Sequence, residues 1–224
     1  MNTIDILLEI SKINKEIKAY SFHLYNKQSL VQERISDWKE SEQNIFDSAM
    51  LFKKQYNLPF WDGIMLSHFN RSYYSDSLLE AALYHNSIKH LKFVDTNETQ
   101  ELFQLKQQRI AVNSQVKMTD GSIRHLPMLD FHIPVSDNNI PIIYKVCKCL
   151  ELPNGYILNS GESYHYIGMN PIEWETLYSI LCKALLYSPI IDKAWISHQL
   201  IEKSCSLRIG KKNGIETQFV TKFP

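Results

Sequence analysis

Apolar residues recur at helical spacing through the first part of the chain. Two stripes stand out, formed by Ile6, Leu7, Ile10, Ile13 and Ile17 and by Ile45, Ala49, Leu51 and Phe52. This spacing places the apolar side chains on one face of an α-helix. Asp76-Ser77, which precedes another apolar run, is typical of a capped helix start. We therefore expect residues 1–108 to form a helical N-terminal region.

The pattern changes at about Arg109, where apolar and polar residues begin to alternate and Asp120-Gly121 provides a strong hairpin signal. The hairpin leads into the apolar run that begins at Leu126. Hydrophobic spacing and turn residues then predict a strand at 128–135, a helix at about 140–150, strands at 156–160 and 164–168, a helix at 171–187 and a mixed segment ending near Ile209.

This β-α-β-β-α order predicts an α+β fold for the second region. We expect residues 109–224 to form an α/β domain in which helices cover one face of a mostly antiparallel sheet, as in an RRM-like palm. The predicted organisation is thus a helical N-terminal half followed by this domain.

Composition and charge narrow the classes of partner. The 224 residues include 24 Lys and Arg and 24 Asp and Glu, so no chain-wide positive field indicates nucleic acid or a membrane surface. The N-terminus lacks the uninterrupted apolar run of a signal peptide, and no stretch is long enough to span a membrane. We expect a cytoplasmic protein without a membrane partner. Any basic surface must be local.

Asp130-Phe131-His132 lies in the apolar segment predicted as the first strand of the second domain. Period-two alternation places Asp130 and His132 on the same face, with Phe131 on the other. An unpaired buried carboxylate is costly, so Asp130 is expected to face a cation or a fixed hydrogen-bond donor. A divalent metal ion is one natural partner.

Three later segments carry further candidate residues. Ser160-Gly161-Glu162-Ser163 is typical of a tight hairpin, and its backbone donors together with His165 suit phosphate binding. Asp192 follows an apolar run and could complete a metal site with Asp130. Arg208-Ile209-Gly210-Lys211-Lys212 brings three cations next to a glycine, which suits phosphate neutralisation.

These motifs, in this order, resemble those of the archaeo-eukaryotic primase superfamily, which includes the primase-polymerases. Its signatures are Asp-x-acid on a strand, Ser-x-His on a later strand and an apolar residue followed by Asp after the next helix. The corresponding segments here are Asp130-x-His132, Ser163-x-His165, Ile191-Asp192 and a following Leu207-Arg208-Ile209. The resemblance covers about residues 109–212, while the helical first half resembles no family.

The resemblance implies a primase- or polymerase-like nucleotidyltransferase that binds nucleoside triphosphates and a single-stranded nucleic-acid template. It implies that Asp130, His132 and Asp192 form the catalytic metal site for Mg²⁺ or Mn²⁺. It also implies that Ser163, His165, Arg208 and Lys211 bind the nucleotide. Partner proteins could bind the helical N-terminal region.

His132 stands where the family has an acidic residue, which leaves two alternatives open. An imidazole in place of a hard oxygen ligand weakens a two-metal magnesium site. The chain could therefore be a catalytically degenerate module that binds nucleotide or nucleic acid within a larger assembly, such as a bacterial or phage defence system. Alternatively, Asp130, His132 and His165 could form a two-histidine, one-carboxylate iron site.

Overall fold

The computed structural model describes residues 1–24, 40–56, 58–67, 80, 83, 91–99, 110–210 and 215–224. The chain divides into two compact units. The first combines Met1–Asn26 with Ile88–Pro224, and the second is Lys27–Ser87. Residues 1–26, expected in the helical N-terminal region, thus belong to the same unit as the predicted α/β domain.

The described helices and strands are named in chain order. The helices are α1 (Thr3–Ile13), α2 (Glu40–Tyr56), α3 (Phe60–Ser67), α4 (Ile140–Cys149), α5 (Trp174–Ala184) and α6 (Lys193–Glu202), with 3-10 turns at Asp137–Asn139 and Leu185–Tyr187. The strands are β1 (Ile17–Leu24), β2 (Leu91–Asp95), β3 (Ile110–Met118), β4 (Ile123–His125), β5 (Met128–Asp130), β6 (Gly155–Asn159), β7 (Tyr164–Gly168), β8 (Ser206–Arg208) and β9 (Gln218–Phe223).

Helix α1 begins at a capping box and ends where its apolar stripe was expected to continue. The Asn2 side chain accepts from the Asp5 N–H at 3.1 Å, and the Asp5 carboxylate accepts from the Asn2 N–H at 2.9 Å. Asn14 ends the helix by donating its side-chain amide to the carbonyls of Ile10 and Met169. The N-terminal stripe therefore predicted the helix correctly, but not its end.

Ile17 lies in β1, so the expectation of a wholly helical N-terminal half was wrong here. In this strand Tyr20 and Phe22 lie two positions apart, so they share one face, and both are buried. β2, which also lies within residues 1–108, is a second strand in the region expected to be helical. A short amphipathic stretch after a helix is ambiguous by periodicity alone, and only its pairing partners settle its structure.

The first sheet is built around β1 and β3. Its order is β2-β1-β3-β4, and β8 pairs with β3 beside β4. All of these pairings are antiparallel. The predicted hairpin is confirmed, because β3 and β4 are joined through Gly121 at φ +88°, a conformation that suits glycine.

The second sheet has the order β5-β7-β6-β9, again with antiparallel pairing. On the free side of β5, Phe131 forms an antiparallel bridge with Ile191. The chain therefore runs β5-α4-β6-β7-α5 and then returns beside β5 at Ile191. The predicted β-α-β-β-α order is confirmed, although the described residues form two sheets where one was expected.

One hydrophobic core joins the two sheets and the helices of the first unit. Helix α1 contributes Ile6, Leu7 and Ile10, while α4 and α5 contribute fully buried residues that include Ile143 and Leu177. None of the described helices is long and apolar enough to cross a membrane.

The second unit contains α2 and α3. The predicted stripe around Ala49 lies in α2, and Ala49 is fully buried. A side chain at Gly63 in α3 would come within 2.7 Å of the Ala49 carbonyl oxygen, so glycine permits this close helix contact. The predicted helix start at Asp76-Ser77 lies outside the described residues.

Removing residues 1–26 is expected to unfold the first unit. The deletion takes away β1, which lies between β2 and β3, and buried side chains of α1 that each contribute about 1.5–3 kcal/mol. Replacing residues 27–87 with a short Gly-Ser linker should instead leave it folded, because His23 and Leu91 are cross-strand partners that a short loop can join. Thermal unfolding followed by circular dichroism distinguishes the variants. Cooperative unfolding of the first deletion would contradict the assignment of β1.

Candidate active site

Asp130 and His165 face each other across two neighbouring strands. They are register partners in the β5–β7 pair, and the Asp130 Oδ1 lies 3.5 Å from the His165 Nε2. The His165 side chain is 6% exposed and that of Asp130 is 26% exposed. The predicted contact between the first and second motifs is therefore present, with the carboxylate on the more open side.

Asp192 lies on the other side of β5. The Asp192 N–H donates to the Asp130 carbonyl at 3.1 Å, next to the bridge between Phe131 and Ile191. Those two residues are fully buried, so alternation directs the neighbouring Asp130 and Asp192 to the opposite face. An aspartate, an aspartate and a histidine thus lie on three adjacent strand segments, in the order Asp192, Asp130, His165.

The Asp192 carboxylate also caps α6. Its Oδ1 accepts from the backbone N–H groups of Ala194 at 2.9 Å and Trp195 at 3.0 Å. This is the usual role of an aspartate at a helix N-terminus, where it satisfies otherwise unpaired donors. Both described hydrogen bonds use Oδ1, so a role for Oδ2 in cation binding is compatible with the cap.

The predicted metal ligands are therefore brought together only in part. His132 is half-buried, and its N–H donates to the Ile190 carbonyl at 2.7 Å, so its backbone lies in the same strand pairing. Nevertheless, within the described part of the chain, no three or more His, Cys, Asp or Glu side chains are grouped to hold a metal ion. The carboxylate oxygens of Asp130 and Asp192 are donors of the type that Mg²⁺ and Mn²⁺ prefer. A preformed three-ligand site, with magnesium or with iron, is not found among these residues.

The predicted turn between β6 and β7 is confirmed. The Ser160 N–H donates to the Ser163 carbonyl at 2.9 Å, and the two serine hydroxyl oxygens lie 3.2 Å apart. Gly161 has φ +106° and donates its N–H to the Asn159 side chain at 2.7 Å. This turn leads directly into the strand that carries His165.

Arg208 connects this turn to the first sheet. From β8 its guanidinium donates to the carbonyl oxygens of Ser160 and Gly210. Arg208 is half-buried and keeps its charge, which places a fixed cation beside the Ser160–Ser163 turn. Lys211, the other predicted cation, lies outside the described residues. Ser160 was not among the predicted ligands, because only the tertiary contact with Arg208 singles it out.

His125 belongs to the core. It is 5% exposed, and its Nδ1 lies 3.0 Å from the Ser114 Oγ. Its ring lies against that of Trp174, with centroids 5.3 Å apart. Burial lowers the pKa of His125 to about 4, against a smaller opposing effect of Glu175. Its role is structural.

The first unit is an α+β domain with two sheets and a β-α-β-β-α core. A carboxylate–imidazole pair lies at the strand ends of this core, an arrangement that is primase-like. A family model for the archaeo-eukaryotic primase 1D-like family matches residues 89–221, more than half of the chain. The chain belongs to this family, as its motifs predicted. No curated protein and no solved structure matches it.

Asp192→Ala should destabilise the protein by about 1 kcal/mol, because it removes the oxygen that caps α6. Asp192→Asn should keep nearly full stability, since an asparagine side-chain oxygen can accept the same two hydrogen bonds. Urea unfolding measures both. An equal loss in the two variants would mean that the cap does not depend on this acceptor.

Acidification should destabilise the protein through His125. The native pKa is near 4 and the ordinary value is near 6.5, so between these limits the unfolded chain binds the extra proton. Stability is then fully present above about pH 6.5 and falls by roughly 2–3 kcal/mol towards pH 4. His125→Gln should flatten this part of the curve. Urea unfolding at a series of pH values measures this dependence. If the unfolding free energy of His125→Gln falls with pH as steeply as that of the wild type, the assignment is refuted.

Proposed function

We propose that the chain is a primase- or polymerase-like nucleotidyltransferase domain that binds a divalent metal ion, a nucleoside triphosphate and a nucleic-acid template. The observation that carries this proposal is the row formed by Asp192, Asp130 and His165 on adjacent strand segments. Membership of the archaeo-eukaryotic primase 1D-like family supports it.

The strand arrangement supports an RRM-like palm. After α5, the chain returns to β5 at Ile191, so the segment order across the sheet is Ile191, β5, β7 and β6. This completes a β-α-β-β-α-β unit with two helical crossovers. The motif residues then lie at the ends of the three adjacent strand segments.

In this proposal each residue has a distinct task. The oxygens of Asp130 and Asp192 would hold Mg²⁺ or Mn²⁺, which supplies charge stabilisation for phosphoryl transfer when bound. His132 neighbours them as a third candidate ligand. His165 and the Ser163 hydroxyl face incoming phosphates, and Arg208, with Lys211 beyond it, neutralises their charge. A single-stranded template would bind alongside, and partner proteins through the N-terminal region.

A catalytically degenerate binding module remains the second candidate, and two observations favour it. His132 replaces the usual acid, and the Asp192 Oδ1 is already used to cap α6. Such a module would bind nucleotide or nucleic acid within a larger assembly, for example a bacterial or phage defence system. It would retain the phosphate contacts and lack turnover.

Purified protein should incorporate nucleotides on a primed or unprimed single-stranded template in the presence of Mn²⁺ or Mg²⁺. Asp130→Asn should lower the rate at least about 100-fold, the scale for losing one group that stabilises transition-state charge. Asp192→Asn should do the same while preserving the helix cap. Gel analysis of labelled products measures the rates.

Asp137→Asn is the matched control, because Asp137 is an exposed aspartate in the 3-10 turn that follows the same strand. It should leave the rate unchanged. Full activity in both Asp130→Asn and Asp192→Asn would refute the catalytic assignment. Nucleotide binding without incorporation in the wild type would favour the degenerate module.

A further inference from the structure

Ser206 lies two residues before Arg208, and its polar groups are bound from two sides. Its hydroxyl lies 3.1 Å from the His23 Nδ1 and accepts from the Asn113 side-chain amide at 3.1 Å. Asn113 is fully buried and His23 nearly so. Strand β8 is thus attached to β1 and β3 through side chains as well as through the backbone pairing with β3.

Helix α6 binds the outer edge of β8 through both backbone groups of Ser206. The Trp195 Nε1–H donates to the Ser206 carbonyl at 2.9 Å, and the Gln199 Oε1 accepts from the Ser206 N–H at 2.8 Å. These two residues are four apart and therefore lie on one face of the helix. Their side chains form the two hydrogen bonds that the backbone of a neighbouring strand would otherwise make with Ser206.

Gln199 is the centre of this contact. It is 5% exposed, and its Nε2 donates to the Trp195 carbonyl at 3.0 Å, so both its amide oxygen and its amide nitrogen form hydrogen bonds. A buried amide with both ends bonded has one allowed orientation, and breaking either bond leaves a desolvated polar group. The distance between α6 and β8 is therefore closely defined at this point.

The two elements that Gln199 joins carry opposite charges of the candidate site. Asp192 is the N-cap of α6, and Arg208 ends β8. A triphosphate held between a carboxylate-bound cation and a guanidinium needs both at a defined separation, and small displacements weaken such binding strongly. The two residues lie on separate elements, and the contact of Gln199 and Trp195 with Ser206 links these elements between them.

We propose that Gln199 is a positioning residue that sets the spacing between Asp192 and Arg208 for triphosphate binding. This inference rests on the proposed nucleotide site and adds a residue outside its motifs. Gln199 acts through Arg208, which distinguishes it from a residue that only stabilises the fold.

A double-mutant cycle tests this. The probe is whichever of ATP, GTP, CTP and UTP binds the wild type most tightly in the presence of Mn²⁺, measured by isothermal titration. Gln199→Met keeps a similar length without hydrogen bonds and should weaken binding about tenfold, the scale for losing two hydrogen bonds from a positioning contact. In an Arg208→Met background, Gln199→Met should change the affinity less than about twofold, because the residue it positions is gone.

Ile196→Val is the matched control, because Ile196 is a fully buried residue of α6 that packs in the core. It should lower the melting temperature without weakening triphosphate binding. If Gln199→Met does not fold, Trp195→Phe removes the other side-chain hydrogen bond between α6 and the Ser206 backbone and carries the same expectations.

Each result has one meaning. The inference is supported if Gln199→Met weakens triphosphate binding when Arg208 is present and has little effect when Arg208 is replaced by Met. Equal losses in both backgrounds, an unchanged affinity in Gln199→Met, or a similar loss in Ile196→Val would overturn it while leaving the proposed function intact. Absence of triphosphate binding by the wild type would overturn the proposed nucleotide site and this inference together.

Discussion

The arrangement of the candidate site depends on hydrogen bonding along both edges of β5. One edge pairs with β7 and the other with the segment that carries Ile191. Because cross-strand partners share a face, this pairing alone puts Asp130 between His165 and Asp192. Burial of Phe131 and Ile191 on the opposite face then prevents a one-residue slip, which would turn the acidic side chains into the core.

Local sequence patterns predicted much of the α/β region. The Asp120-Gly121 hairpin, the β-α-β-β-α order and the turn before His165 follow from periodicity and turn chemistry over short windows. The motif order also identified the family correctly. These features depend on neighbouring residues, and the sequence therefore contains enough information to recognise them.

Several features that depend on long-range pairing were not predicted. β1 joins the first sheet by pairing with strands that are distant in the chain, as in the pairing of Ala19 with Asp95. Its short amphipathic pattern continues the helical spacing of α1, so local reasoning extended the helix through Ile17. The second sheet and the contacts of Ser206 with α6 are likewise tertiary. Asp192 was expected as a metal ligand, and the structure shows that its carboxylate caps α6.

The same residues thus combine structural and proposed chemical roles. Asp192 stabilises the start of α6, Arg208 holds the Ser160–Ser163 turn, and Asp130 pairs with His165. Each of these contacts fixes a side chain that the proposed reaction needs in one place. Preorganisation of this kind is how a protein directs fixed charges at a substrate without reorganising at each turnover.

The most direct test of this account is the anomalous scattering of manganese in crystals grown with Mn²⁺ and a nucleoside triphosphate. If the two aspartates share the catalytic metal ion, the anomalous peak is bound by carboxylate oxygens of both Asp130 and Asp192, and the phosphates reach towards His165 and Arg208. A peak bound by neither aspartate, or a triphosphate bound away from these strand ends, would contradict it.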